Sequence, residues 1–243
     1  MPREGAFDAP PGLTLPGPAV RGVMGVLFAV WLGFAVFVNW AGGSQDAFLL
    51  FCGSTRRILD GEVYRLFTAP LVHLPSGTIS HILFALLGLF FFAPELERAW
   101  GPGRFLRFFG LSALVAYGVQ MAAELALPAS LAGRLVGEYW FGAFPALEAV
   151  AIAWALSFRG RVVRLWFVLP VSSRGLVGFI VGMSLLRVIA DAGSAEGLVS
   201  PFGGMLAGWL LGGGTPSPLR RAYLRLRLAQ LDRESARGGA GRR

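Results

Sequence analysis

Few residues of this 243-residue chain are able to do chemistry, and most of those lie within or beside long apolar runs. They are His81, Glu124, Glu148, the pair Arg187 and Asp191, and Ser200 next to Pro201. An ionisable side chain in the middle of an apolar run is costly, so each is a functional candidate to be weighed against a structural role. Glu148 stands about halfway along its run, where a carboxyl must find a donor, take up a proton or face a water-filled cavity. A protonated, hydrogen-bonded packing residue is the structural alternative. Arg187 and Asp191 are four apart, hence on one helix face, and are expected to pair with each other. Glu124 is expected to reach the interface.

What is missing narrows the chemistry further. All 22 basic residues are Arg and none is Lys. A Walker-type phosphate loop, a Ser–Lys dyad and Schiff-base catalysis are therefore excluded. One cysteine, Cys52, and two histidines, His73 and His81, make neither an internal disulfide, a thiolate zinc site nor an H-E-x-x-H site, so no metal and no cofactor is expected. An aspartyl intramembrane protease needs two aspartates on facing helices, whereas Asp46 and Asp60 fall in a loop and Asp191 at a helix end. Serine chemistry is the remaining hydrolytic option, with Ser200 as nucleophile and His81 as base in a relocated pair. A serine before a proline at a helix start is more commonly an N-cap.

Positioning these groups falls to membrane helices. The chain is 55% hydrophobic and only 15% charged, against about 25% charged for an average soluble domain. A transmembrane helix needs about 20 mostly apolar residues. Six stretches approach or meet that length: about Val20–Trp40, Thr78–Leu96, Phe105–Leu127, Tyr139–Phe158, Gly175–Ala192 and Leu198–Gly214. The expected fold is all-α, a polytopic six-transmembrane-helix bundle over residues 20–214. It follows a Pro-rich, disordered segment 1–19 and precedes a basic tail 215–243. A cleaved signal peptide is the rival reading of the N-terminus. The apolar run is long for one, and Glu4 and Asp8 lie where a basic leader should be.

With the N-terminus in the cytoplasm, 17 of the arginines fall inside and Arg56, Arg57, Arg65 and Arg134 outside. The positive-inside rule thus places both termini in the cytoplasm. The net charge of +8 reflects topology, and no nucleic-acid partner is expected; the lipid bilayer is. Arginine in place of lysine suggests Arg-biased coding and a bacterial inner membrane. In the tail, arginines alternate with Leu224, Leu228 and Leu231 at helical spacing, which fits a helix on an anionic leaflet or a solvated extension of the last span.

Small residues mark close helix contacts. Gly204, Gly208 and Gly212 repeat every four residues, and Gly142, Ala146, Ala149 and Ala153 offer a matching stripe. Such stripes let two backbones approach closely, whether for packing alone or around a site.

Several short motifs, in order, resemble the rhomboid family of intramembrane serine proteases, which has a six-helix core. Tyr64-Arg65-Leu66-Phe67-Thr68 resembles its Trp-Arg region, and His81 opens a run similar to H-x-x-x-N. Leu96-Glu97 with Gly101, then Arg104-Phe105-Leu106, is similar to L-E-x-x-x-G and R-F-L. Gly142-Ala143-Phe144-Pro145-Ala146 stands where the family has G-x-S-G-A, and Ser200-Pro201-Phe202-Gly203-Gly204 where it has A-H-x-G-G. The resemblance spans about residues 61–211.

In rhomboids the motif serine attacks the scissile carbonyl, the last histidine is its base, and the His and Asn of H-x-x-x-N help bind the oxyanion. Here those positions read Phe144, Pro201, His81 and Ala85. A phenyl ring is no nucleophile and proline has no side-chain base, so the expected dyad is lost. The resemblance therefore implies a proteolytically inactive member, a pseudoprotease, whose vestigial-site cavity is lined by His81, Ala85, Gly142, Phe144, Pro145, Glu148 and Pro201. It also implies binding of transmembrane client proteins. The alternatives are an active serine endopeptidase with displaced residues, and a small transporter or channel subunit using Glu148 and Arg187. Few polar residues and no visible inverted repeat make a poor conduit.

Overall fold

The computed structural model describes residues 14–77, 79–158, 160, 162–165, 169–190, 193–213 and 217–240. The chain is mostly helical, in the order α1 (Pro18–Asn39), α2 (Gln45–Leu49), α3 (Thr55–Leu59), α4 (Arg65–Thr68), α5 (Ser80–Trp100), α6 (Pro102–Ala126), α7 (Ala129–Leu135) and α8 (Phe144–Ser157). There follow β1 (Val162–Leu165), β2 (Leu169–Ser172), α9 (Ser173–Ile189), α10 (Ser200–Gly212) and α11 (Pro218–Ala240). Each apolar stretch read from the sequence falls on one helix: α1, α5, α6, α8, α9 and α10. Two of these, α1 and α6, are by themselves long and apolar enough to cross a bilayer, and α8 is a shorter apolar helix.

Three boundaries differ from expectation. The N-terminal lead-in stops sooner than residue 19, because Pro18 occupies the first turn of α1, where its missing N–H costs nothing. Segment 41–79 is not a plain loop but holds the short helices α2, α3 and α4. Between α8 and α9 the chain forms a hairpin, pairing Val162 with Ser172 and Leu165 with Leu169 in antiparallel register. The Ser172 hydroxyl then caps α9 by accepting from Gly175 N–H at 3.1 Å.

Helix α8 is the hub. It packs against α5, α6, α9 and α10, and Pro145, Ala146, Leu147 and every residue from Ala149 to Ala155 are buried. Its contact with α10 is backbone to backbone. A Cβ on Gly208 would stand 2.6 Å from the Ala149 carbonyl oxygen, and Gly204 and Gly212 leave no more room against the Pro145 carbonyl and Ala153 Cβ. The glycine stripe thus meets Pro145, Ala149 and Ala153. Ala146, assigned to this face by the spacing, is buried on the neighbouring flank, about 100° further around the helix than Pro145.

Two charged residues of the family motifs tie the remaining elements down. The buried Glu97 carboxylate on α5 accepts from Ala19 N–H at 2.8 Å and Val20 N–H at 3.0 Å, capping the start of α1. Arg65, 2% exposed, donates to the Leu49 carbonyl at 2.6 Å, the Cys52 carbonyl at 2.8 Å and Glu62 Oε2 at 2.6 Å. Its guanidinium staples α4 to the α2–α3 segment and holds the Glu62 carboxyl below its usual range.

Outside this core the helices are apolar and uncovered. On α1, Val26, Phe28, Leu32, Val36 and Phe37 are exposed, and on α9 so are Phe179, Met183, Leu185, Leu186 and Ile189. Contiguous apolar belts of this kind are not left in water by soluble monomers, and they suit hydrocarbon.

Two substitutions test this architecture. Gly208→Val should lower thermal stability in detergent by about 2 kcal/mol, because a backbone carbonyl cannot yield, whereas Gly33→Val, with open space around it, should leave the melting temperature unchanged. Glu97→Ala should cost about 2 kcal/mol by leaving two buried N–H groups unpaired, with Glu97→Gln recovering part of the loss.

Candidate functional site

The residues that the sequence assigned to the site lie at the end of the bundle where α5, α8 and α10 begin. His81, in the first turn of α5, lies against three rings: His73 at 4.9 Å between centroids, Phe144 at 5.4 Å and Phe141 at 5.9 Å. Phe144 opens α8 and Pro201 is the second residue of α10, both with the first-turn geometry the family motifs predict. Ala85, one turn along from His81, is fully buried, and Gly142, Pro145 and Pro201 are buried. Gly142 is required by its backbone. Its φ is +117°, and a Cβ there would sit 3.1 Å from His81 Cε1 and 3.2 Å from Glu196 Oε1.

Glu196 was not among the sequence candidates, yet it organises the cluster. His81 Nδ1 accepts from Leu74 N–H at 3.4 Å, which puts the ring proton on Nε2, and Nε2 donates to Glu196 Oε1 at 2.8 Å. The other carboxylate oxygen accepts from the Ser194 hydroxyl, and that hydroxyl accepts from Arg187 at 2.8 Å. Arg187 also lies 3.8 Å from Glu196 Oε2. Residues from α5, the 193–199 segment and α9 therefore form one charged network. Asp191, the partner expected for Arg187, lies outside the described residues.

Ser200 and His81 are not bonded to one another. The Ser200 hydroxyl, fully buried, donates to the Glu196 carbonyl at 2.7 Å. Nor is Ser200 the N-cap of α10 that its place before Pro201 suggests. The cap position is Val199, and the N–H groups of Val199 and Ser200 are taken by Gln120 Oε1 from α6, at 3.2 and 2.8 Å. A side chain from another helix has replaced the local cap. It fits because Gly197, at φ +78°, leaves the space that the Gln120 amide fills.

The loops around the cluster are held by paired backbone. Gly53 and Trp140 exchange N–H and C=O bonds, Phe141 N–H donates to the Ala195 carbonyl at 2.8 Å, and Gly142 N–H to the Ala69 carbonyl at 2.9 Å. Tyr117 donates to the Gly142 carbonyl at 2.7 Å and stacks on Trp140 at 4.4 Å. His73, fully buried, accepts from Ala143 N–H at 3.4 Å through Nε2, leaving Nδ1 to donate to the Leu71 carbonyl at 3.3 Å.

Electrostatics follow this geometry. Burial acts to raise the Glu196 carboxyl, but the hydrogen bonds from His81 and the Ser194 hydroxyl outweigh it and hold Glu196 below its usual range. Burial, and then the neighbouring His81, push His73 down to about 4, so its ring is neutral. The Cys52 thiol is pushed up to about 12 by burial against the opposing pull of Arg65, so it supplies no thiolate near neutral pH. Glu148 lies one turn below Phe144. It makes no hydrogen bond among the described residues, and its Oε2 is covered and unpartnered. Glu124, at the far end of α6, lines a separate surface cavity of about 740 Å³ with Arg56, Arg57, Asp60 and Glu138.

A signal for the missed residues was thin. Glu196 precedes the Ser200-Pro201 motif by a few residues, but a lone acid in a loop is ordinarily solvated. Gln120 and Tyr117 read as interior helix residues, and only packing shows what they bond.

A family model for the rhomboid domain matches residues 60–215. A Bacillus subtilis (strain 168) protein, YdcA, described as a candidate rhomboid protease, is 30% identical over 98 residues, which cover 40% of this chain and 46% of that protein. The match thus spans about half the length of that relative.

The cluster should make the fold acid-sensitive in two windows. His73, lowered from 6.5 to about 4 in the fold, takes up a proton more readily when unfolded, so its contribution is complete above 6.5 and declines as pH falls toward about 4. Glu196, depressed below 4.5, contributes fully above 4.5 and loses its part as pH falls through its lower folded value. Melting temperature followed against pH should fall in both windows for the parent chain. His73→Gln should flatten the upper window and Glu196→Gln the lower.

Proposed function

Because the chain belongs to the rhomboid family, we propose that it is a six-span membrane protein of that fold which does not cleave peptide bonds and instead binds transmembrane segments of client proteins. The observation that carries this reading is the occupancy of the catalytic positions. Phe144 stands at the nucleophile's place, Pro201 at the base's, and Ala85 at that of the oxyanion asparagine.

What remains at the site is committed elsewhere. His81 presents an N–H to Glu196 rather than a free lone pair, and the Ser200 hydroxyl is held by a backbone carbonyl. A relocated Ser200–His81 dyad would need both bonds broken and Glu196 moved aside, with no oxyanion donor at Ala85 to repay the change.

Client binding rests on helix arrangement. Helices α5 and α9 both pack on α8 and do not form a packed pair with each other. Both helices also carry exposed apolar residues, such as Leu83 on α5 and Leu186 on α9. A membrane helix can dock there by van der Waals packing and interhelical hydrogen bonds. In this reading both termini face the cytoplasm of a bacterial inner membrane, and the basic α11 lies on its cytoplasmic side.

Two measurements test the proposal together. Purified protein should show no labelling by a fluorophosphonate that labels an active rhomboid, and Ser200→Ala and His81→Ala should change nothing. Labelling abolished in both variants would establish a displaced dyad and an active protease. Photo-crosslinkers at Leu83 and Leu186 should recover transmembrane segments of other proteins from membranes, and recovery of lipid alone would remove the client-binding reading.

A further inference from the structure

Glu148 is the acidic side chain left over after the site network is assembled. Arg187, Ser194, His81 and Glu196 satisfy one another, but Glu148 receives no hydrogen bond from any of them and feels Arg187 and Glu196 only through their charge. Its place on α8 is informative. Leu147 meets Gly88, Trp154 meets Phe92 and Phe144 meets His81, so that side of α8 faces α5, while Pro145, Ala149 and Ile152 face α10. At about 100° per residue, Glu148 falls between these two faces, on the flank where Arg187 of α9 acts on it through its charge. In the docking role proposed above, a client helix entering between α5 and α9 reaches that flank, where Glu148 is half-buried.

A carboxyl group so placed lacks a hydrogen-bond partner among the described residues while remaining partly exposed. We propose that Glu148 reads the client: it accepts a hydrogen bond from a single donor-bearing side chain, an amide or an ammonium, on a transmembrane helix entering between α5 and α9. The inference rests on the docking role proposed above and names what that site selects. A purely apolar helix would leave the carboxyl as it is, whereas a donor at the matching depth would pair with it and be relieved of its own cost in hydrocarbon. Glu196 does not compete, since both its oxygens are occupied.

The test uses the full-length protein in nanodiscs of phosphatidylcholine and phosphatidylglycerol, which carry no primary amine. The probes are three Leu-rich single-span peptides bearing Leu, Asn or Lys level with Glu148, and the readout is crosslinking yield from a photoreactive group at Leu83. The Asn and Lys peptides should crosslink roughly five-fold more than the Leu peptide. Glu148→Gln should keep the preference for Asn and lose that for Lys, and Glu148→Leu should lose both while leaving the Leu peptide unchanged. Equal yields from all three peptides, or a preference that survives Glu148→Leu, would overturn this inference and leave docking intact. Absence of any crosslink would overturn docking, and this inference with it.

Discussion

The rest of the structure depends on the backbone contact between α8 and α10. Lipid tails are as apolar as leucine, so helices in a membrane gain little by hiding hydrophobic surface from water and must be held by dispersion and close fit. Gly204, Gly208 and Gly212 supply that fit by leaving the carbonyls of Pro145 and Ala149 nothing to collide with. Once the two backbones are that close, the first turns of both helices lie side by side. Phe144 and Pro201 are then adjacent in space whatever their chemistry, and the loops entering both helices are brought over the same spot.

That constraint explains how the scaffold holds its shape whatever stands at positions 144 and 201. Glu97 caps α1, Arg65 staples the first loop and the glycines seat α10 on α8, and none of these depends on what residue 144 or 201 can do. The same elements would position a serine and a histidine, and here they position a phenyl ring and a proline. The polar capacity of the site has not vanished. It has passed to Glu196, which engages His81 and Ser194, and to Gln120, which takes over the capping of α10. A buried carboxylate beside a histidine is tolerable only because both of its oxygens are met, and the loop carrying it is thereby fixed across the mouth of the site.

Much of this was legible in the linear chain. Apolar run length and the lack of charge located the helices, because a hydrocarbon layer about 30 Å thick accepts little else. The four-residue glycine spacing marked the face of α10, since that period returns to one side of a helix. Motif order pointed to the rhomboid fold, and the residues at 144, 201 and 85 could be read directly as Phe, Pro and Ala, because a side chain's reactive atoms are a property of the residue itself.

Tertiary structure alone decided the partners. Arg187 bonds Ser194, and the segment after α9 turns back and brings Glu196 across to His81, 115 residues earlier in the chain. Ser200 carries the side chain of an N-cap, but Gln120 from another helix reached those N–H groups first. Ala146 and Pro145 are neighbours in sequence and face different helices, which a spacing argument could not order without knowing where α10 lies. In each case the sequence supplied the hydrogen-bonding groups and their local periodicity. Which group met which depended on loop paths and interhelical distance, and those exist only once the chain has folded.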